Sequence, residues 1–201
     1  MLKCIPDLIE YSNFQDPVQQ ENIMAATVIL RQYEEMEEDM DIDKSHPYHR
    51  VNFLNITQTI IDSMSASPFK SSSLANASYW ITARQEIYYA LTRQTVPYLR
   101  FDADRWPNAS IADNMIMFAG QVATWLWGGN SPEKWSELKG QEQQLLCDSS
   151  GELEPIIHIK AERTKGQVFP TAWYSFDAQV TAIQHFRIAQ MILTAENPHL
   201  E

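Results

Sequence analysis

The sequence predicts an all-α fold, with about six helices arranged in an irregular bundle or an array of helical hairpins. Three observations predict it. Apolar residues return at intervals of three and four through most of the 201 residues, which places them on one side of successive helices. Helix-start signals precede several of these runs, at Asp16-Pro17, at Ser110 with Asp113, and at Ser131-Pro132. Proline, glycine and serine clusters separate the runs where helices must stop. A chain of this length buries about 70% of its unfolded surface without staples, so residues 1–201 are expected to form a single helical domain.

The first helix is expected from Pro17 to Met36. Asp16 stands at its N-cap and Gln19 offers a reciprocal cap, while Ile23, Ala26, Leu30 and Tyr33 supply the helical spacing. Val51, Leu54, Ile61 and Met64 predict a second helix, ended by Ser65 to Pro68 and the serines at 71 to 73. A third runs from Leu74 to Arg93, with Ala77, Trp80, Ile81, Ile87, Tyr88 and Leu91 on one stripe and Arg84 inside that stripe. A guanidinium there must snorkel outward or find an acid, because burying it alone costs roughly several kcal/mol. Glu86 or an acid elsewhere would serve.

Pro97 and Pro107 bracket an irregular link. Ser110 and Asp113 then form a capping-box pair ahead of Ile111, Met115, Phe118, Val122 and Leu126, a fourth helix that Gly128-Gly129-Asn130 breaks. A fifth starts at Ser131-Pro132-Glu133 and passes Trp135, Leu138, Leu145 and Leu146 to end near Asp148. Residues 149–170 read as a long surface connection, with Ile156 to Ile159 as a short extended run. The last helix is expected from Trp173 to Ala195, apolar around most of its circumference and therefore central and buried.

Composition narrows the function classes. Net charge is −11, and the 15 Lys and Arg are scattered, so a phosphate backbone would be repelled and direct nucleic-acid binding is not expected. No run approaches the roughly 18 to 20 apolar residues of a membrane span, and the N-terminus carries no apolar signal core. The chain is expected off the membrane and unsecreted, in the nucleus or cytoplasm. The two cysteines, Cys4 and Cys147, have no C-x-x-C spacing, and Cys147 reads as a small core residue.

Candidate chemistry is sparse. The acidic run from Glu34 to Asp43 fails as a calcium loop, since Lys44 stands where glycine is needed and Arg50 where a bidentate glutamate is needed. A solvated helix end explains it more simply. His46 and His49 could share a metal with Asp43, but Pro47 between the histidines disfavours a helical pairing. His185, in the last helix, reads as a hydrogen-bonded core or interface histidine. Trp80, Tyr88, Trp106, Trp125, Trp127 and Trp173 could line a pocket in which Arg84 or Arg105 fixes an acidic or carbonyl group. Arg84, Tyr88, Trp80, Trp106 and His185 are thus the candidate ligand-binding or interface residues, and no catalytic set is identified.

Three blocks taken together resemble the middle homology region of the fungal zinc-cluster transcription factors, the regulatory domain C-terminal to their DNA-binding module. They are Ala26 to Met36, Trp80 to Leu91 with the following Pro97, and Phe169-Pro170-x-x-Trp173 followed by Ala182 to Leu193. The order is the family's, and the blocks span most of the chain. The six-cysteine zinc cluster and its basic linker are missing, so DNA binding of the family's kind is not expected. The resemblance implies an all-α, non-catalytic regulatory module equivalent to the C-terminal part of that region, without metal or cofactor. It would act through protein contacts, as a homodimer or with a related transcription regulator, or by sensing a small-molecule effector. The alternative is a helical-pocket enzyme of cyclase or isomerase type from fungal secondary metabolism. A truncated scaffold is a third reading, favoured by an exposed apolar patch above about 600 Å².

Overall fold

The computed structural model describes residues 16–40, 57, 58, 61, 73–102, 106 and 108–200. The chain divides into two compact units, Met1–Pro107 and Asn108–Glu201. The fold is all-α in character, with five helices and one small two-stranded sheet among the described residues. The helix expected over 51–64 lies mostly outside those residues; positions 57, 58 and 61 are helical.

In the first unit, α1 spans Pro17–Met40 and α2 spans Leu74–Arg93. Helix α1 starts where the cap predicts, with the Val18 N–H donating to Asp16 Oδ1 at 3.2 Å, and runs a turn beyond the expected end. Ser73 caps α2 by accepting the Asn76 N–H at 3.1 Å. Gln94, left-handed at φ 57°, closes its other end by donating to the Ala90 carbonyl. The two helices pack together. Ile23, Met24, Thr27, Val28 and Arg31 are buried on α1, and Ala75, Ser78, Tyr79, Thr82, Ala83, Glu86, Ile87 and Ala90 on α2.

The expected stripe of α2 is only partly the buried one, since Trp80 and Ile87 are inside but other members are not. Ile81 and Tyr88 are exposed, Ala77 is exposed, and Arg84 is half-buried, whereas Glu86 is the charged residue inside. The buried face mixes small residues, Ala75, Ser78, Thr82, Ala83 and Ala90, which allow close helix approach, with the large Tyr79, Trp80 and Ile87.

The second unit contains α3 (Ile111–Trp127), α4 (Pro132–Asp148) and α5 (Asp177–Ala195), with strands β1 (Ile157–Ile159) and β2 (Thr171–Trp173) between α4 and α5. The capping box at α3 is formed: the Asp113 N–H donates to Ser110 Oγ at 3.1 Å, and the Ser110 N–H donates to Asp113 Oδ2 at 3.2 Å. Ser110→Ala is expected to lower stability by about 1 kcal/mol, read as faster hydrogen exchange of the first-turn amides of α3. Gly129 at φ 131° and Asn130 at φ 52° then turn the chain towards the Ser131 cap of α4.

Helix α5 packs along α3, with Phe118 and Phe186 at 5.6 Å between ring centroids. Helix α4 is tied to α5 by the Trp135 indole N–H, which donates to the Leu193 carbonyl at 2.9 Å. Buried Glu142 adds a second tie, accepting Gln190 Nε2 at 2.8 Å while pairing with Lys139.

Three expectations are corrected in this unit. Helix α5 begins at Asp177, because Trp173 is held in β2. It buries only the stripe Ala182, Phe186, Ala189 and Leu193, and leaves Ile188 and Met191 exposed. Cys147 is exposed, on the solvent side of the last turn of α4. The extended run expected within the 149–170 connection is formed, as β1, and pairs with β2. Ile157 faces Trp173, His158 faces Ala172 and Ile159 faces Thr171 in an antiparallel register.

Candidate functional site

Helix α2 carries two side-chain clusters, and both depend on which of its faces is buried. The first is aromatic. Tyr79, Trp80 and Trp106 meet ring to ring, with centroids 4.3 Å apart for Tyr79 and Trp106, 5.4 Å for Trp80 and Trp106, and 5.0 Å for Tyr79 and Trp80. All three are buried. The Trp80 indole N–H donates to Asn76 Oδ1 at 3.1 Å, one turn back on the same helix. Contacts of this kind describe a filled aromatic core, in which tilted and edge-on rings add to the gain from area burial.

The second cluster surrounds Glu86. Its carboxylate accepts the Tyr98 N–H, and the backbone of Leu99 also hydrogen-bonds to it. Residue 97 is a buried proline, Leu99 and Phe101 are buried, and the Arg100 N–H donates to Gln58 Oε1 at 3.0 Å. The segment after α2 is thus held by acceptors supplied from side chains, because an irregular segment cannot satisfy its own amides. Arg31 is buried on α1, with its guanidinium 4.9 Å from the Tyr89 ring centroid, and its charge acts on Glu86. Burial raises the Glu86 pKa above the usual 4.5; the Tyr98 and Leu99 amides and Arg31 pull the other way without overcoming it. Glu86 Oε2 accepts no hydrogen bond among the described residues. With none of Glu86 exposed to solvent, its role is to clamp a segment, not to meet a solute.

The structure therefore brings Trp80 and Trp106 together, as core. Tyr88 lies apart from them on the exposed face of α2, at 66% exposure, and Arg84 is half-buried. His185 belongs to the second unit, half-buried on α5, with Nδ1 donating to the Thr181 carbonyl at 2.7 Å. That bond fits the hydrogen-bonded reading. Trp125 is also anchored, its indole N–H donating to the Ser131 carbonyl at 2.9 Å. Arg105, Asp43, His46 and His49 lie outside the described residues.

A surface that sequence reasoning missed lies on the second unit. In the hairpin register Ile157 and Trp173 are opposite, and Ile159 is two residues along, so all three share one face. Phe169 and Val168 stand in the connection and Ile156 and Phe176 flank the strands. All seven are between 47% and 77% exposed. The signal was present in the alternation of Ile157 and Ile159, but nothing local identifies Thr171 to Trp173 as the partner strand. Among the described residues no helix is long and apolar enough to cross a membrane. Comparison with protein-family models, with curated proteins and with solved structures gives no match.

Proposed function

We propose that this chain is a non-catalytic regulatory module of the kind found in fungal zinc-cluster transcription factors, working through protein contacts without touching DNA itself. The observation that carries the reading is the exposed apolar hairpin of the second unit. Large apolar side chains clustered on a surface mark an interaction site, since a monomer gains nothing by leaving them wet. The net charge of −11 supports the same reading by disfavouring a phosphate backbone as the partner. The ring-to-ring packing of Tyr79, Trp80 and Trp106 supports a structural part for the aromatics, where an enzyme or sensor would need them to line a cavity.

The test is a titration of the purified full chain, fluorescently labelled at exposed Cys147, with the purified regulatory region of a zinc-cluster regulator from the same organism. Saturable binding, weakened by Trp173→Ser, is the expected result. Turnover of a terpenoid or polyketide precursor by the chain, with no regulator bound, would replace this reading with the enzyme one.

A further inference from the structure

We infer that the solvent face of α2 docks an amphipathic helix of another protein, one that presents an apolar stripe with a carboxylate set against Arg84. The inference concerns the first unit and does not rest on the hairpin that carries the function proposed above.

Helix α2 lacks the polar back that a helix on a protein surface normally has. Its buried arc is centred on Tyr79, Ala83, Glu86 and Ala90. The opposite arc reads Leu74, Ala77, Ile81, Arg84, Tyr88 and Leu91, at spacings that alternate three and four. Leu74, Ala77, Ile81 and Tyr88 are exposed, and Arg84 and Leu91 are half-buried. Helix α4 shows the ordinary arrangement, with Glu133, Lys134, Glu137 and Asp148 towards water. A helix that is apolar nearly all round belongs in an interior, and α2 has one side open. The alternating spacing is that of the seam by which one helix receives another. From Leu74 to Leu91 the seam runs about 25 Å at the helical rise per residue, long enough for the repeated anchors of a docked helix.

Charge specifies the occupant. Arg84 lies in the middle of the seam and makes no hydrogen bond or ion pair among the described residues. The residues three and four away on either side are Trp80, Ile81, Ile87 and Tyr88, so α2 offers it no acid, and Glu86 belongs to the buried arc. A purely apolar cover would strip water from this guanidinium and leave it unpaired, at a cost of roughly several kcal/mol. A carboxylate opposite it turns that cost into a charge-assisted, two-pronged contact.

The same arginine selects against a second copy. Parallel pairing of two α2 seams sets Arg84 against Arg84, and antiparallel pairing about the middle of the seam, near Thr82 and Ala83, leaves the two guanidiniums within one turn of each other. Like charges so placed disfavour the complex. A strongly acidic segment also fits badly, because the chain itself carries −11. The partner that satisfies both conditions is an apolar stripe with a single acid at its centre.

The test uses two labelled synthetic helices of about three heptads, with leucine in the stripe and either glutamate or lysine at its middle, titrated with the full chain and read by fluorescence anisotropy. The glutamate peptide is expected to bind saturably and about tenfold more tightly than the lysine peptide. Arg84→Glu should reverse that order, and Arg84→Gln should abolish the preference, which keeps the test sound if the charge reversal disturbs folding. Tyr88→Ser should weaken both peptides about fivefold or more. No saturable binding of the glutamate peptide, equal affinity for the two peptides, or a preference that survives both Arg84 variants would overturn the inference. Self-association abolished by Tyr88→Ser, with neither peptide bound, would assign the face to a second copy and overturn it too. Peptide binding without binding of a zinc-cluster regulatory region would leave this inference standing and remove the function proposed above; regulatory-region binding weakened by Trp173→Ser, with neither peptide bound, has the reverse meaning.

Discussion

Replacing Phe118 by alanine is expected to destabilise the second unit by about 3–5 kcal/mol, the range for removing a buried aromatic and leaving its cavity. Phe118 is 2% exposed and sits on the α3 face that receives α5, with the Phe186 ring at 5.6 Å and a 43° interplanar angle. The loss has two parts. Apolar area returns to water, and the space between two packed helices stays partly empty because neither backbone can close on it. Phe186→Ala should act similarly, and the double variant should cost less than the two single costs combined, since the rings share one contact. Hydrogen exchange reads the effect locally: protection of α3 and α5 amides should fall together. An effect near the surface range of about 0.5 kcal/mol would mean that the α3–α5 contact is not the core of this unit.

Glu86→Ala should be the most damaging change in the first unit. It removes the acceptor for the Tyr98 and Leu99 amides and leaves them without it beside α2. An orphaned buried donor costs about 1–3 kcal/mol, and Leu99 is buried whereas Tyr98 is 48% exposed, so the cost is expected in that range. Glu86→Gln keeps a carbonyl acceptor in place and should cost less. The two variants also separate the hydrogen bonds from the charge.

The charge has its own pH signature. Burial raises the folded pKa of Glu86 above the usual 4.5, so between that value and the folded pKa the native chain holds a proton that the unfolded chain has released. Stability from this group is therefore greatest below about 4.5 and falls as pH rises through the folded pKa. Urea midpoints of wild type and Glu86→Gln measured across that window should converge or cross as pH rises, with wild type losing ground. A wild type that gains on the variant with rising pH would mean that Arg31 and the two amides outweigh burial.

Glu86 also shows where sequence reading stops. The pattern of Ala77, Trp80, Ile81, Ile87, Tyr88 and Leu91 points to a stripe that includes Arg84; the structure buries Trp80 and Ile87 of it, exposes Ala77, Ile81 and Tyr88, and takes Glu86 inside. Counting apolar residues cannot choose between two faces of similar content. Glu86 is inside because amides of a later segment reward a carboxylate there, on a face that also buries the small residues Ala75, Ser78, Thr82, Ala83 and Ala90. Trp80 and Trp106 were legible as buried aromatics but not as neighbours, because their contact joins residues far apart in the chain.

The sequence by itself determined the all-α class, the helix from about Leu74 to Arg93, the capping box at Ser110 and Asp113, and the break at Gly128 to Asn130. Such features are settled within one or two turns, where a hydroxyl, a carboxylate or a proline satisfies or removes nearby backbone groups. Tertiary structure alone decided which charged residue of α2 is buried, that α5 hides only one stripe, and that Ile157–Ile159 finds its partner in Thr171–Trp173 and shows its apolar face to solvent. Those outcomes depend on the shape and polarity of a surface brought from elsewhere in the chain, and no local run of residues carries that information.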